Sequence, residues 1–278
     1  LSILLPLKYR RLIIYVFEGL GRVFSSRLIL YRLIKRIVIP IYEFSFKACK
    51  FVILLNSSDA AFFAELGIIP IRKMRILPGT GIDIDLIDRS INYERSKAKF
   101  IDFIGRMIPE KGYIPFIYIR LNLLEYFPDL AKKYKFRIIT PQSYIKALSN
   151  EDKKYLKNIG IEIKTYSSNS FDYYKDSKII ILPSSYGEGI SRVVLEAAYI
   201  GIPLLVSRNK GIEDLFPFNY KYFINSKNPA KMTMQLVEML NEKEYFNTTN
   251  LILRGFIKDY FSSKKSIDKF SNYLFDFL

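Results

Sequence analysis

The sequence predicts an α/β protein built on parallel, Rossmann-like sheets, and three observations carry that expectation. From residue 51 onward, short β-branched or apolar runs alternate with longer helix-like stretches, the order that gives parallel strands joined by right-handed crossovers. Runs such as Ile179-Ile180-Ile181-Leu182 are apolar throughout rather than alternating, as strands covered on both faces are. No internal repeat or low-complexity tract interrupts the pattern.

Taken in order, FVILL (51–55), KMRIL (73–77), KFIDFIG (99–105), KFRIIT (135–140), IEIK (161–164), KIIIL (178–182) and PLLV (203–206) read as strands. Between them, SDAAFFAELG with Ser58 or Asp59 as its cap, 112–127, 151–158, 191–200 and 229–241 read as helices. LPGTGIDID (77–85) breaks the pattern with two glycines and a proline ahead of a charged stretch. It divides the chain into residues 1–75 and residues 76–260, and SIDKFSNYLFDFL (266–278) follows as an amphipathic helix in a final segment, 261–278. About 75 residues upstream are roughly half an α/β domain, and position 1 is Leu rather than Met. The upstream part is therefore expected to be truncated.

Composition narrows the chemistry. Glycine and proline are sparse, at 13 and 12 residues, and half the residues are apolar, so the chain can bury a core. Histidine is absent, which removes histidine triads, imidazole bases and histidine-ligated metals. The single cysteine, Cys49, allows no intramolecular disulfide and suggests a reducing, cytosolic setting. Each apolar run is broken by Arg, Lys, Glu or Pro before it reaches the length of a membrane span. A net charge of +16 implies an anionic partner. Residues 1–50 hold ten basic side chains against Glu18 and Glu43.

Two segments carry the chemistry. In LPSSYGEGISRVVLEAAYIGIPLLV (182–206) a buried strand leads through a glycine-flanked turn into a helix, and ligands of open α/β sheets bind at such turns. Glu196 is the only carboxylate among apolar residues of that helix, so it must be paired or hydrogen-bonded. Glu188 stands eight residues earlier; at helical rise the two would be roughly 12 Å apart, a span suited to gripping two parts of one long ligand. In KFIDFIGRMIPEKGYIPFI (99–117) a strand ends at Gly105-Arg106, and Lys111-Gly112 opens a helix. Unpaired N–H groups at a helix start beside two cations make a diphosphate site.

Together the segments resemble family 4 of the glycosyltransferases, whose members carry G-R-x-x-x-E-K-G and, farther on, P-S-x-x-E-G-x-x-x-x-x-L-E-A. Here they read GRMIPEKG (105–112) and PSSYGEGISRVVLEA (183–197), the latter one residue longer before its first Glu. ILPGTGIDID (76–85) looks like the family's entry into its donor domain. EGLGRVFSS (18–26) is similar to a glycine-rich acceptor-domain loop of members that extend surface polysaccharides such as lipopolysaccharide. There relatives place a His where this chain has Glu18. The family's first strand and glycine-rich loop have no counterpart.

The resemblance implies a GT-B fold: a Rossmann-like donor domain (76–260), an incomplete N-terminal Rossmann-like acceptor domain (1–75), and a C-terminal helix (261–278) packing back on the first domain. It implies a retaining, metal-independent, hexosyltransferase-type enzyme with no cofactor. The donor would be a UDP- or GDP-sugar and the acceptor a hydroxyl of a lipid-linked glycan. Arg106 and Lys111 would hold the diphosphate, with Gly105 beside them, Glu188 the transferred sugar and Glu196 the ribose. The N–H groups of Gly189, Ile190 and Ser191 would meet sugar or phosphate, and Glu18 would be catalytic.

The basic N-terminal stretch has two readings: a face set against an anionic membrane surface, hence a cytoplasmic protein peripheral on the inner face of the membrane, or ordinary helices with solvated Lys and Arg. Nucleic acid is not an expected partner, because the glutamate pair would oppose phosphate. A non-catalytic remnant or scaffold that keeps the donor fold is the alternative to an enzyme.

Overall fold

Two parallel sheets organise the computed structural model, which describes residues 4–20, 23–24, 29–166, 171–185, 189–224 and 227–275. The smaller sheet has β1 (Ile14–Phe17), β2 (Phe51–Leu54) and β3 (Met74–Ile76) in that spatial order. The larger holds β4 (Phe100–Ile104), β5 (Lys135–Thr140), β6 (Ile161–Thr165), β7 (Ser177–Leu182), β8 (Leu204–Ser207) and β9 (Phe223–Ile224), in the order β6-β5-β4-β7-β8-β9. Every pairing is parallel. The continuously apolar runs lie where double coverage requires: β2 is buried at all four positions and β7 at all but Lys178.

The expected strands from 51 to 206 all form, and the helices 113–126, 150–158, 192–200 and 229–241 fall within a residue or two of their expected spans. Three details differ. The strand β1 was hidden in the basic N-terminal stretch, between Arg11 and Glu18, and it pairs in register with β2 from Ile14 opposite Phe51 to Phe17 opposite Leu54. The cap of the first helix after β2 is neither Ser58 nor Asp59. Asn56, in extended conformation, accepts the Asp59 N–H at 2.7 Å and starts the helix at Ser57. A long helix, Lys243–Phe261, precedes the C-terminal one, Ser263–Phe275.

Each sheet has its own core. Phe46, Val52, Leu54, Phe63 and Ile69 pack beside the smaller sheet, with Phe17 edge-on to Phe63 at 4.8 Å between ring centres. The larger core runs through β4, β5, β7 and β8 and the helix Arg192–Ile200. Inside it, Arg137 donates from Nε and Nη2 to the two oxygens of Asp102 at 2.7 and 2.9 Å, and Ser177 donates to the same carboxylate.

The chain ties its two sheets together after β3. Gly81, at φ +68°, brings its backbone against Phe261 and Ser262, a place where a Cβ would sit within 2.5–2.8 Å of backbone atoms. Ile82 then donates its N–H to the Phe261 carbonyl and accepts from Ser263, each at 2.9 Å. The helix Ser263–Phe275 crosses to the smaller sheet, where the Tyr273 hydroxyl donates to the carbonyl of Ile76 at 2.9 Å.

Candidate functional site

The strand order sets the location. From β4 the chain moves outward through β5 and β6, then returns to the other side of β4 with β7. The carboxyl ends of β4 and β7 therefore flank a topological switch point, where ligands of open sheets bind. The segments that leave these two ends start at Gly105 and Pro183, within the stretches singled out by sequence.

The two loops are locked to each other. Ser185 donates its N–H to the Glu110 carbonyl at 2.8 Å, and the Ser184 hydroxyl donates to the same oxygen at 3.3 Å. Gly112 takes φ +88°, and a Cβ there would collide with the carbonyl of Pro183. Only glycine allows that approach. A cavity of about 180 Å³ opens between the loops, and Gly105, Arg106, Lys111, Ser184, Ile190 and Ser191 are among its lining residues. Tyr166, at the end of β6, also lines it; burial lifts its phenol above the ordinary range, and Arg106 opposes the shift.

The helix Arg192–Ile200 points its start at this cavity, with Ser191 as the capping position. Glu196 is 4% exposed, and its charge is met as burial demands. Its Oε2 accepts from the buried Tyr174 hydroxyl and its Oε1 from Arg192 Nε, both at 2.8 Å. Burial, with Glu196 adding to it, keeps the Tyr174 phenol protonated far above its usual range. Glu196 does not itself line the cavity; Arg192 does.

Arg192 and Ile190 also line a second cavity, of about 700 Å³, between the two sheets. Its walls are mainly apolar, with Val16, Ile53, Leu55 and Phe270 among them, and Glu18 stands at its edge just past β1. The sheets meet closely here. A Cβ on Gly189 would collide with the Glu18 carbonyl, and Asn56 Nδ2 donates to the Gly189 carbonyl at 3.0 Å. Ser57 adds a second tie, donating from N–H and Oγ to Asp214 at 2.9 and 2.8 Å.

Arg106, Lys111, Gly105, Ile190 and Ser191 thus share one cavity, Gly189 and Glu18 meet at the sheet junction, and Glu196 lies one side chain behind. Glu188 falls outside the described residues, as do Gly21, Arg22, Ser25 and Ser26 of the N-terminal glycine-rich segment. The spacing estimate from Glu188 to Glu196 does not hold as argued, because the helix begins only at Arg192 and helical rise covers half the interval. Sequence reasoning missed Arg192, Tyr174, Tyr166 and Asn56. Only Arg192 left a signal, four residues before Glu196 on one helix, the spacing at which opposite charges meet. Among the described residues no group of three or more acidic or cysteine side chains has the arrangement of a metal site.

The profile of one protein family, described as glycosyl transferases group 1, matches residues 86–250. Among solved structures, HepE from Anabaena, in complex with UDP and glucose, superposes with a TM-score of 0.73 at 12% identity, over 96% of this chain and 72% of that one. A glycosyltransferase from Rickettsia africae gives 0.73 at 16% identity over 94% and 69%. Sucrose-phosphate synthase from Thermosynechococcus elongatus gives 0.70 at 12% over 95% and 68%. The comparison with curated proteins returns no match. At these identities the structural likeness speaks for the fold, the GT-B arrangement of two Rossmann-like sheets.

Proposed function

The chain belongs to the group 1 glycosyl transferases, and we propose that it transfers a sugar from a UDP- or GDP-sugar, with retention of configuration, to a hydroxyl of a lipid-linked glycan in surface-polysaccharide synthesis. The observation that carries this reading is the single cavity at the switch point into which two loops bring Arg106 and Lys111 beside the start of a helix. Such a start favours anions through its free N–H groups and dipole. HepE binds UDP and glucose, which supports a nucleotide-sugar for a fold of this kind.

In the reaction the acceptor hydroxyl oxygen bonds to the anomeric carbon as that carbon's bond to the diphosphate oxygen breaks, the hydroxyl proton passes to the departing diphosphate, and charge builds on the leaving phosphate. Arg106 and Lys111 stabilise that charge, so the step needs no metal and no protein nucleophile. Glu188 holds the sugar. A carboxylate has about four lone-pair sites, and Tyr174 and Arg192 occupy two of those on Glu196. The remainder are free to accept from ribose hydroxyls once Arg192 shifts. Glu18 stands on the acceptor side, at the mouth of the larger cavity. Its apolar walls suit an acceptor with a greasy portion near the reacting hydroxyl.

The N-terminal surface suits a lipid-linked acceptor as well. Leu30, Leu33, Ile37, Ile41 and Phe44 form an exposed stripe on the helix Ile29–Ala48, and Arg10 lies over Phe44 at 5.0 Å. Such a face with basic neighbours seats a protein peripherally on an anionic cytoplasmic leaflet. No helix of the described residues is long and apolar enough to cross a membrane.

Calorimetric titration with UDP and with GDP tests the reading. One of them binds the wild-type chain, and Arg106→Ala removes that binding. If neither nucleotide binds, the donor assignment is wrong. Transfer of label from the matching nucleotide-sugar to a glycan acceptor separates an enzyme from a scaffold that only keeps the fold.

A further inference from the structure

Two arginines lie in the larger core, and the chain treats them differently. Arg137, 2% exposed, is neutralised by the carboxylate of Asp102. Arg120, 7% exposed, sits on the helix Tyr113–Tyr126 and forms no ion pair with any of the described residues. It donates from Nε to the Ile159 carbonyl at 2.8 Å and from Nη1 to the Ala131 carbonyl at 2.9 Å, which fixes the guanidinium without balancing its charge. Gly160, at φ +74°, makes room for it; a Cβ there would stand 2.7 Å from Nη2. Burial alone pulls the guanidinium below its usual range, with no carboxylate acting the other way. Buried arginines are almost always paired with an anion.

The surroundings make the missing charge more conspicuous. Arg120 lines a groove of about 720 Å³ together with Lys132, Lys135, Lys153, Lys157 and Lys164, against one carboxylate, Glu162. That carboxylate reaches Lys164 at 3.7 Å, both side chains being about half exposed, so it offsets little. The groove borders Lys135 and Gly160-Ile161, at the starts of β5 and β6. It runs along the edge strand β6 as far as Lys164 and shares no lining residue with the cavity between the loops that follow β4 and β7. Six like charges around one concavity repel one another, and a dense anion removes that cost.

We propose that this groove is a second anion site, which holds a phosphate-bearing ligand between the five lysines and Arg120, apart from the nucleotide-sugar cavity. Phosphate suits it because several oxygens on one centre accept from several ammonium groups at once. The phosphate comes either from a soluble ligand or from lipid headgroups, and the two sources are separable by experiment. The inference does not depend on the donor assignment.

Pyrophosphate is titrated calorimetrically into the full chain in about 0.1 M salt, and vesicles of phosphatidylglycerol or phosphatidylcholine are tested by co-sedimentation. The groove variant neutralises Lys153, Lys157 and Lys164 to Gln, and the control neutralises the exposed Lys258, Lys264 and Lys269 in the same way. The groove variant loses about tenfold or more in affinity and the control less than about twofold, since exposed charges beyond a Debye length act weakly. Arg106→Ala leaves this binding intact, so failure of the donor reading stays distinguishable. Groove-dependent binding of pyrophosphate assigns a soluble ligand; groove-dependent binding of phosphatidylglycerol vesicles alone assigns a headgroup. Equal losses in groove variant and control, or no binding of either probe, overturn the proposal.

Discussion

The backbone N–H of Ser185 donates to the carbonyl oxygen of Glu110 at 2.8 Å, and so two segments 75 residues apart share one floor. Gly112 makes the approach possible, because its φ of +88° and its missing Cβ leave space for the Pro183 carbonyl. Gly112→Ala forces the loops apart. Stability is expected to fall by about 1–3 kcal/mol from backbone strain, and nucleotide affinity by about tenfold or more. Gly67→Ala is the comparison: its φ is +68° with nothing within 4 Å of the added Cβ, so it carries the strain and leaves nucleotide affinity unchanged. Urea unfolding with calorimetry on both variants checks this.

The environment of Glu196 separates stability from binding. Tyr174→Phe removes the hydroxyl that meets Oε2 at 2.8 Å in a buried setting, and a buried charged acceptor left short costs about 1–3 kcal/mol. Arg192 is 67% exposed in its side chain, so water takes its place at Oε1 and Arg192→Ala is expected to cost less stability than Tyr174→Phe. It nonetheless removes a cation that lines both cavities, and nucleotide affinity drops. A variant pair with the opposite pattern, Tyr174→Phe stable and Arg192→Ala unfolded, would contradict the geometry.

Asp102 and Arg137 form the other buried network, and its value is structural. Arg137→Met leaves Asp102, which is 0% exposed, without its counter-charge. Loss of one partner of a buried pair costs about 3–5 kcal/mol. The double replacement Asp102→Leu with Arg137→Met removes both charges and recovers much of that loss, measurable as the urea midpoint of the two variants.

Much of this architecture was legible because burial on both faces writes itself as uninterrupted apolar runs, as in β2 and in Ile179–Leu182 of β7. The glycines at 112 and 189 stood out for the same kind of reason: a close backbone approach admits no side chain. What stayed hidden depends on contacts between distant segments. Asn56 is one polar residue after a strand until the fold places it 3.0 Å from the carbonyl of Gly189. Tyr174 is one of 21 tyrosines, and nothing local marks it as the donor to Glu196. The strand β1 carries the same apolar signature as β2, but its four residues sit in a basic stretch that also suits a surface helix.

Alkaline pH gives the last expectation, and its sign follows from the buried phenols. Burial holds Tyr174 and Tyr220 protonated well above the ordinary tyrosine range in the folded chain, whereas in the unfolded chain they ionise near about pH 10. A folded-state value raised in this way contributes stability that is fully present below the unfolded value and is lost as pH rises toward the folded one. Above about pH 10 each such phenol lowers stability by up to about 1.4 kcal/mol per pH unit. Tyr220→Phe tests the origin of the slope. The variant gives up the bond from the hydroxyl to the Leu204 carbonyl at 2.6 Å and starts less stable at neutral pH. Its urea midpoint then declines less steeply than that of the wild type between about pH 9 and pH 11. Equal slopes for the two proteins would show that the buried phenols ionise without unfolding.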